Sequence, residues 1–320
     1  MRVLIVKISS MGDVVHALPM VSDIARVFPH ARVDWVVEEA FADIPRLHPA
    51  VSGVFPIALR RWRRRLLSPA SWHQMIDARR ALRKTRYHTI IDCQGLIKSA
   101  IVAWTARGPV VGFAPGVVRE PVAALLYRRR VFVDPRGHAV DRIRRLGAAA
   151  LGYALEGPER FCLRLPRGEP TPDGPPYALL LANASRASKL WPDRNWLGLE
   201  QTLAGRGIVS LLAWGNAQEH EVSLLRASQM KSARVLPKSS IAQIAVLASR
   251  ARVVVGLDTG LTHLAAAIGA PTVGIFCDYD TSLVGLRGSD RALSLGGVGQ
   301  VPSLDQVSAA VQRLAGSVSA

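Results

Sequence analysis

Asp13 follows the apolar run Val3-Leu4-Ile5-Val6 within the loop Ser9-Ser10-Met11-Gly12-Asp13, just ahead of a helical pattern over Val14–Val27. That places a carboxylate at the carboxyl end of the first strand of an α/β unit, where such sheets collect their chemistry. The same order returns late in the chain, where Val253-Val254-Val255 leads into Gly256-Leu257-Asp258-Thr259-Gly260 and a helix from Leu261. A strand end followed by free helix amides and a favourable dipole is a cradle for a diphosphate. Asp258 or Thr259 could equally do no more than cap that helix.

Two further loops carry polar groups beyond strand ends. In Ala182-Asn183-Ala184-Ser185-Arg186-Ala187-Ser188-Lys189, hydroxyls and an ammonium could hold a phosphate or steady a departing one, or Lys189 could simply be solvated. In Trp214-Gly215-Asn216-Ala217-Gln218-Glu219, the Glu219 carboxylate could accept from both hydroxyls of a ribose, or complement a helix dipole. No G-x-G-x-x-G is present, which argues against a nicotinamide or flavin dinucleotide, so Glu38 and Glu39 at the end of a second strand read as structural. Asp278-Tyr279-Asp280 offers paired carboxylates for a divalent ion, but Lys189 and a helix terminus already supply positive charge, and no metal is expected.

The elements that must position these groups alternate. Strand-like runs at Val3–Val6, Val33–Val37, Thr89–Asp92 and Val131–Val133 separate helical patterns at Val14–Val27, Pro69–Lys84, Ser99–Ala106 and His138–Leu151. After a Pro- and Gly-rich stretch the pattern restarts, with strands Tyr177–Leu181, Val209–Ala213, Val253–Gly256 and Thr272–Phe276 and helices near Trp196–Ala204, Gln218–Ala227, Ile241–Ala248 and Leu261–Ile268. Alternation of this kind predicts an α/β fold with parallel sheets covered by helices on both faces. The economical architecture is two Rossmann-like domains facing across a cleft: residues 1–166, a linker over 167–176, and residues 177–320.

The chain has 320 residues, about half of them hydrophobic, enough for two cores. No basic segment, apolar core and cleavage site precede the first strand, and apolar stretches are cut short of the roughly 20 residues a spanning helix needs. A cytosolic, soluble protein is expected. Cys93, Cys162 and Cys277 suit reduced core thiols better than a disulfide or zinc framework. The net charge is +17 and the excess is nearly all arginine, which points to an anionic partner. Arg60-Arg61-Trp62-Arg63-Arg64-Arg65 is the densest run. It could be a solvated face or bind nucleic acid, and with Trp62, Leu66, Leu67 and Trp72 beside it the run also suits an anionic bilayer surface. Lys98, Arg119, His138 and Arg142 fall at element ends of the same domain and could join it around one polyanionic acceptor.

In this order, Ser9-Ser10-Met11-Gly12-Asp13, Trp35-Val36-Val37-Glu38-Glu39, Arg60-Arg61-Trp62-Arg63, Asp92-Cys93-Gln94-Gly95-Leu96-Ile97-Lys98, Arg119-Glu120-Pro121 and Asp258-Thr259-Gly260-Leu261-Thr262-His263 resemble the bacterial lipopolysaccharide heptosyltransferases. The likeness is to those members that add the first heptose to Kdo-lipid A. The resemblance implies a GT-B fold, ADP-L-glycero-D-manno-heptose as donor, inversion at the anomeric carbon, no bound metal and no cofactor. It implies work on the cytoplasmic face of the inner membrane, as a peripheral protein. Position by position, it makes Asp13 the catalytic base and Lys189 the holder of the donor phosphate. Ala184 (through its backbone), Ser185, Glu219, Ser239, Asp258, Thr259, Gly260 and His263 go to the donor site. Arg60, Arg61, Arg63, Arg64, Lys98, Arg119, His138 and Arg142 are the acceptor candidates. The chain departs from the family at Ala184, where a hydroxyl residue is common, at Ser239, where a larger apolar side chain can pack beside adenine, and at Cys277-Asp278-Tyr279, where a Gly-Pro turn is usual.

Under this reading a single displacement is expected, with Asp13 acting late as charge develops on the attacking oxygen. Acceptor binding should weaken with salt more steeply than donor binding. Two alternatives stand beside it. A family member adding the next heptose would share the donor loops, although the arginine run and the Lys98 segment favour the first step. A non-enzymatic nucleic-acid-binding protein would account for the charge but leave Asp13 and the paired loops without purpose.

Overall fold

A computed structural model describes residues 1–65, 68–168 and 174–316. The chain divides into two compact units between Arg164 and Leu165. The linker expected over 167–176 therefore begins inside the second unit and lies partly outside the described residues.

The first unit runs β1 (Arg2–Val6), α1 (Met11–His16), α2 (Leu18–Val27), β2 (Arg32–Glu38), α3 (Asp43–Arg46), β3 (Val51–Ile57), α4 (Leu59–Arg64) and α5 (Pro69–Arg83). It continues with β4 (Thr89–Asp92), α6 (Ile97–Thr105), β5 (Val110–Phe113), a 3₁₀ turn (Pro121–Leu126), β6 (Arg129–Val131) and α7 (Ala139–Leu151). Its sheet is parallel in the order β3-β2-β1-β4-β5-β6, so β1 is central and the chain reverses direction beside it. Val3, Leu4, Ile5 and Val6 are fully buried, as continuous apolar runs are when helices cover both faces of a sheet. The helix expected over Val14–Val27 is two helices. Pro19 lacks an amide proton and would clash one turn back, so it sits instead in the first turn of α2.

The second unit runs β7 (Tyr177–Leu181), α8 (Asp193–Ala204), β8 (Val209–Leu212), α9 (Ala217–Ser228), β9 (Ala233–Val235), α10 (Ile241–Arg250) and β10 (Val253–Leu257). It ends with α11 (Gly260–Ala267), β11 (Thr272–Phe276), α12 (Thr281–Val284), β12 (Ala292–Gly296) and α13 (Leu304–Gly316). Its sheet, β12-β11-β10-β7-β8-β9, is parallel as well and puts β7 and β10 at the centre. Trp191 and Trp196 pack edge to face at 5.1 Å beneath it, and the Trp191 indole donates to the Pro302 carbonyl at 2.7 Å.

Strands β3, β5, β6, β9 and β12 lie toward the sheet edges, and four of them carry no clean apolar signal. Val51–Ile57 contains Gly53 and Pro56, which an edge position tolerates. Gly53 also makes room for Asp34, since a Cβ there would come within 2.6 Å of Asp34 Oδ1, the carboxylate that accepts from Tyr87. The strand expected at Val131–Val133 is shifted to Arg129–Val131, leaving Phe132 exposed.

Candidate active site

Asp13 lies in the first turn of α1, immediately beyond the central strand. Its Oδ2 accepts from the Ser10 amide and the Ser10 hydroxyl, both at 2.9 Å. Its Oδ1 faces the Lys7 ammonium at 3.5 Å, and that ammonium also donates to the Cys93 carbonyl at 3.1 Å. Burial pushes the Asp13 carboxyl up, but Lys7, the Ser10 donors and His16 together outweigh it and hold the group well below the usual carboxylate range. The group is therefore an anchored anion, with 30% of its side chain open to solvent.

Gln94, from the loop after β4, fixes the backbone that carries Asp13. Its Oε1 accepts from Ile8 N at 2.7 Å and Ser9 N at 3.2 Å, and its amide donates to the Ser9 hydroxyl. Gln94 is held in turn by Asp92, a buried carboxylate that accepts from Gln94 N, Gly95 N, Ser99 and Tyr127. Burial pushes the Asp92 carboxyl up, and those donors only partly offset it.

The basic candidates of this unit gather at the same carboxyl-terminal edge. The buried Glu38, at the end of β2, accepts from Arg60 N at 3.1 Å and lies in the field of both Arg60 and Lys98. Arg61 pairs with Glu39 at 3.2 Å. Arg60, Arg61, Arg64 and Arg65 line a concavity of about 430 Å³ floored by these glutamates. Arg63 is exposed on α4 and does not line it. On the other side of β1, the His138 ring meets His16 edge to face at 5.7 Å, and His138 Nδ1 caps α7 by accepting from Val140 N. Arg142, one turn further, stands over Phe113 with its Nε buried and without a hydrogen-bond partner. Burial, and second the Arg119 guanidinium, push Arg142 below its ordinary value, so two arginines share one anion-seeking spot.

In the second unit, Lys189 donates to Asp258 Oδ2 at 2.6 Å and to the Asp258 carbonyl at 3.0 Å. His263 Nε2 meets the other carboxylate oxygen at 3.2 Å, and its ring packs edge-on against Phe276. Burial pushes the Asp258 carboxyl up, but His263 and Lys189 overcome it and hold the group low. Asp258 thus spends its charge on His263 and Lys189. Thr259, the N-cap of α11, makes no side-chain cap bond, and Thr262 N turns to the Thr259 carbonyl at 3.1 Å, so the amides of Gly260 and Leu261 are the ones an anion could meet. Gly256 lets α11 approach β10: an added Cβ would overlap the Thr262 hydroxyl, which donates to Leu257 O at 2.6 Å. Glu219 Oε2 accepts from Gly215 N at 2.8 Å. Ala184 packs on the core below, Ser185 is exposed, and Ser239 donates to Pro237 O.

The sequence profile of glycosyltransferase family 9 (heptosyltransferase) matches residues 75–309. The chain belongs to this heptosyltransferase family. It is 40% identical to lipopolysaccharide heptosyltransferase 1 of Pseudomonas aeruginosa over 296 residues, covering 91% of this chain and 82% of that protein. Its structure is similar to that of Escherichia coli heptosyltransferase WaaC with ADP, at a TM-score of 0.87 and 37% identity over 98% of each chain. It is similar also to the same enzyme with ADP-2-deoxy-2-fluoro heptose, at a TM-score of 0.84 and 36% identity over 98% of each chain. The two parallel six-stranded sheets make the fold GT-B-like, and the chain is a glycosyltransferase. Family membership sets aside the non-enzymatic nucleic-acid-binding alternative.

The structure departs from the sequence expectation at Trp62 and Cys162. Trp62 does not face outward: it is 6% exposed and donates to Gln74 Oε1 at 2.9 Å. Trp72 is exposed, while Leu66 and Leu67 lie outside the described residues. Cys162 is exposed, unlike the buried Cys93 and Cys277. Asp278 accepts from Ser188 at 2.7 Å and Asp280 caps α12, so these two carboxylates have separate local duties. His263 is 4% exposed, with Nε2 at 3.2 Å from Asp258 Oδ1. Lys7, Gln94 and Tyr279 were not among the sequence candidates, yet Lys7 pairs with Asp13, Gln94 holds the loop ahead of it, and Tyr279 faces Lys189. The Tyr279 ring lies 4.7 Å from Lys189 Nζ and its hydroxyl accepts from Arg186 at 3.1 Å, bracing the loop after β7.

Proposed function

We propose that this heptosyltransferase transfers L-glycero-D-manno-heptose from ADP-heptose to a Kdo hydroxyl of Kdo-lipid A, the first heptose addition to the lipopolysaccharide inner core. The carrying observation is Asp13: an ionised carboxylate anchored by Ser10 and Lys7 at the mouth of the central strand, with cationic side chains on both flanks. The Kdo oxygen bonds to the anomeric carbon, the bond from that carbon to the diphosphate oxygen breaks, and ADP leaves with the electron pair. The hydroxyl proton passes to Asp13. Attack opposite the leaving group inverts the anomeric centre. A carboxylate held this low is a weak base, so proton transfer is late and contributes about 10²–10⁴-fold. Lys189 and the amino end of α11 offset the charge growing on the diphosphate, while Glu219 receives the ribose.

The arginines of α4, with Lys98, Arg119, His138 and Arg142, grip the Kdo carboxylates and lipid phosphates. The acceptor's acyl chains tie the reaction to the cytoplasmic leaflet of the inner membrane, where the enzyme acts as a peripheral protein. No helix among the described residues is long and apolar enough to cross a membrane. The test is Asp13→Asn assayed for ADP release and for ADP-heptose binding by calorimetry. Loss of turnover by about two orders of magnitude or more with donor affinity kept supports the assignment. Undiminished turnover removes Asp13 as the base.

A further inference from the structure

Helix α6 presents Ile97, Ile101 and Trp104 along one stripe, 40%, 49% and 65% exposed, while Ser99, Ala100 and Ala103 face the sheet. The 3₁₀ turn that packs against it stacks Val122 and Leu125 on its outer side, 58% and 73% exposed. On the neighbouring α5, Trp72 and Ile76 are exposed and fall in line with Arg79 and Arg83; Arg83 donates to Thr105 O at the end of α6, so the two stripes adjoin. Large side chains this open, on three abutting segments of one unit, form a patch and not scattered surface residues.

The charge around the patch is predominantly positive, and the exposed Asp77 on α5 is paired with Arg80. From Ile97 to Val133 the basic residues are Lys98, Arg107, Arg119, Arg128, Arg129 and Arg130, and Glu120 is the single acid. Glu120 is turned onto the α6 amino end, accepting from Ile97 N at 2.6 Å. Arg130 is anchored to Ala124 O and Arg129 to Ala149 O, which ties this basic edge to the apolar turn. An apolar face with Trp among aliphatics, rimmed by arginine and nearly free of acids, is complementary to an anionic bilayer surface.

We infer that the α6 face, with Trp104 and Leu125 at its centre, is the membrane-docking surface of this enzyme and that its occupant is an anionic phospholipid leaflet. This deepens the peripheral-membrane reading above and rests on it. It moves the contact away from Trp62, which is buried, to a face distinct from the concavity of Arg60 and Arg64. The apolar side chains enter the headgroup boundary while the arginines engage phosphates, so binding needs both and weakens with salt.

The experiment is flotation of the full chain with vesicles of phosphatidylethanolamine and phosphatidylglycerol, against vesicles of phosphatidylcholine alone. The wild type should float with the first and not the second. Trp104→Ser/Leu125→Ser should lower partitioning about tenfold or more, with unchanged melting temperature and unchanged turnover on a water-soluble Kdo saccharide. If the wild type floats and the double variant floats equally well, this face is wrong while the peripheral reading stands. If the wild type fails to float yet turns over the soluble acceptor, the peripheral reading fails with it. A dimer in sedimentation velocity that the double variant dissolves, with no flotation by either, would make the face a contact between copies and overturn the inference.

Discussion

Replacing Lys7 by Met tests how the reaction centre is tuned. Lys7 is 5% exposed and its ammonium lies 3.5 Å from Asp13 Oδ1, a separation worth about 5 kcal/mol at an effective dielectric near 20. Because 30% of the Asp13 side chain meets solvent, screening leaves about 2–3 kcal/mol. In the wild type the folded Asp13 carboxyl lies below its ordinary value of 3.8. Its contribution to stability is complete above that value and is lost only as pH falls through the lower folded one. Over the range where the enzyme can be assayed, Asp13 should therefore give no acid limb to kcat/KM. Lys7→Met removes the largest influence that opposes burial, so the carboxyl rises and an acid limb enters the profile on the acidic side. The base becomes intrinsically stronger, yet it loses the contact that aims it, and a displacement of about 1 Å costs about 10²-fold, which outweighs the gain. The expected result is kcat lower by about 10–100-fold at neutral pH, a new acid limb, and ADP-heptose binding unchanged. Continuous measurement of ADP release across pH, with calorimetry for the donor, reads all three. A Lys7→Met enzyme with the wild-type rate and profile would refute both the tuning and the assignment of Asp13.

Two other perturbations separate the proposed donor site from the scaffold. Asp258→Asn leaves the Lys189 ammonium, 17% exposed, without its carboxylate and should cost about 3 kcal/mol in stability while weakening ADP binding in calorimetry; unchanged ADP affinity would show that Asp258 does not position Lys189. Arg144→Met removes one partner of a buried pair with Asp23, at 2.8 Å and with both side chains under 10% exposed, and should lower stability by about 3–5 kcal/mol in chemical denaturation while kcat survives at reduced temperature.

What could be read from the sequence follows from how local the signal was. Central strands announce themselves because burial on both faces demands unbroken apolar runs, and Thr89–Asp92, Tyr177–Leu181 and Thr272–Phe276 were legible to the residue. Edge strands such as Ala233–Val235 and Ala292–Gly296 are partly solvated and short, so nothing in their composition sets them apart from loops. The two carboxylates Asp13 and Asp258 were visible because each closes an apolar run, but their partners were not. Lys7 interrupts the buried series from Val3 to Ile8, and a lysine flanked by fully buried residues had to be turned inward toward a counter-charge. That signal lies in the local sequence itself. Gln94 is different: it sits 85 residues from Ser9, and only the adjacency of β1 and β4 brings its amide under the loop. Tyr279 stands in a turn that departs from the family pattern, yet its contact with Lys189 joins the ends of β11 and β7, which are separated by β10 in the sheet order. The direction of Trp62 was equally out of reach, because a run of arginines carries no apolar period from which the inner face of α4 could be found. Gln74, donated by α5, decides it. The general reason is that strand order determines which loops become neighbours, and in a parallel sheet that order is not written in any one loop.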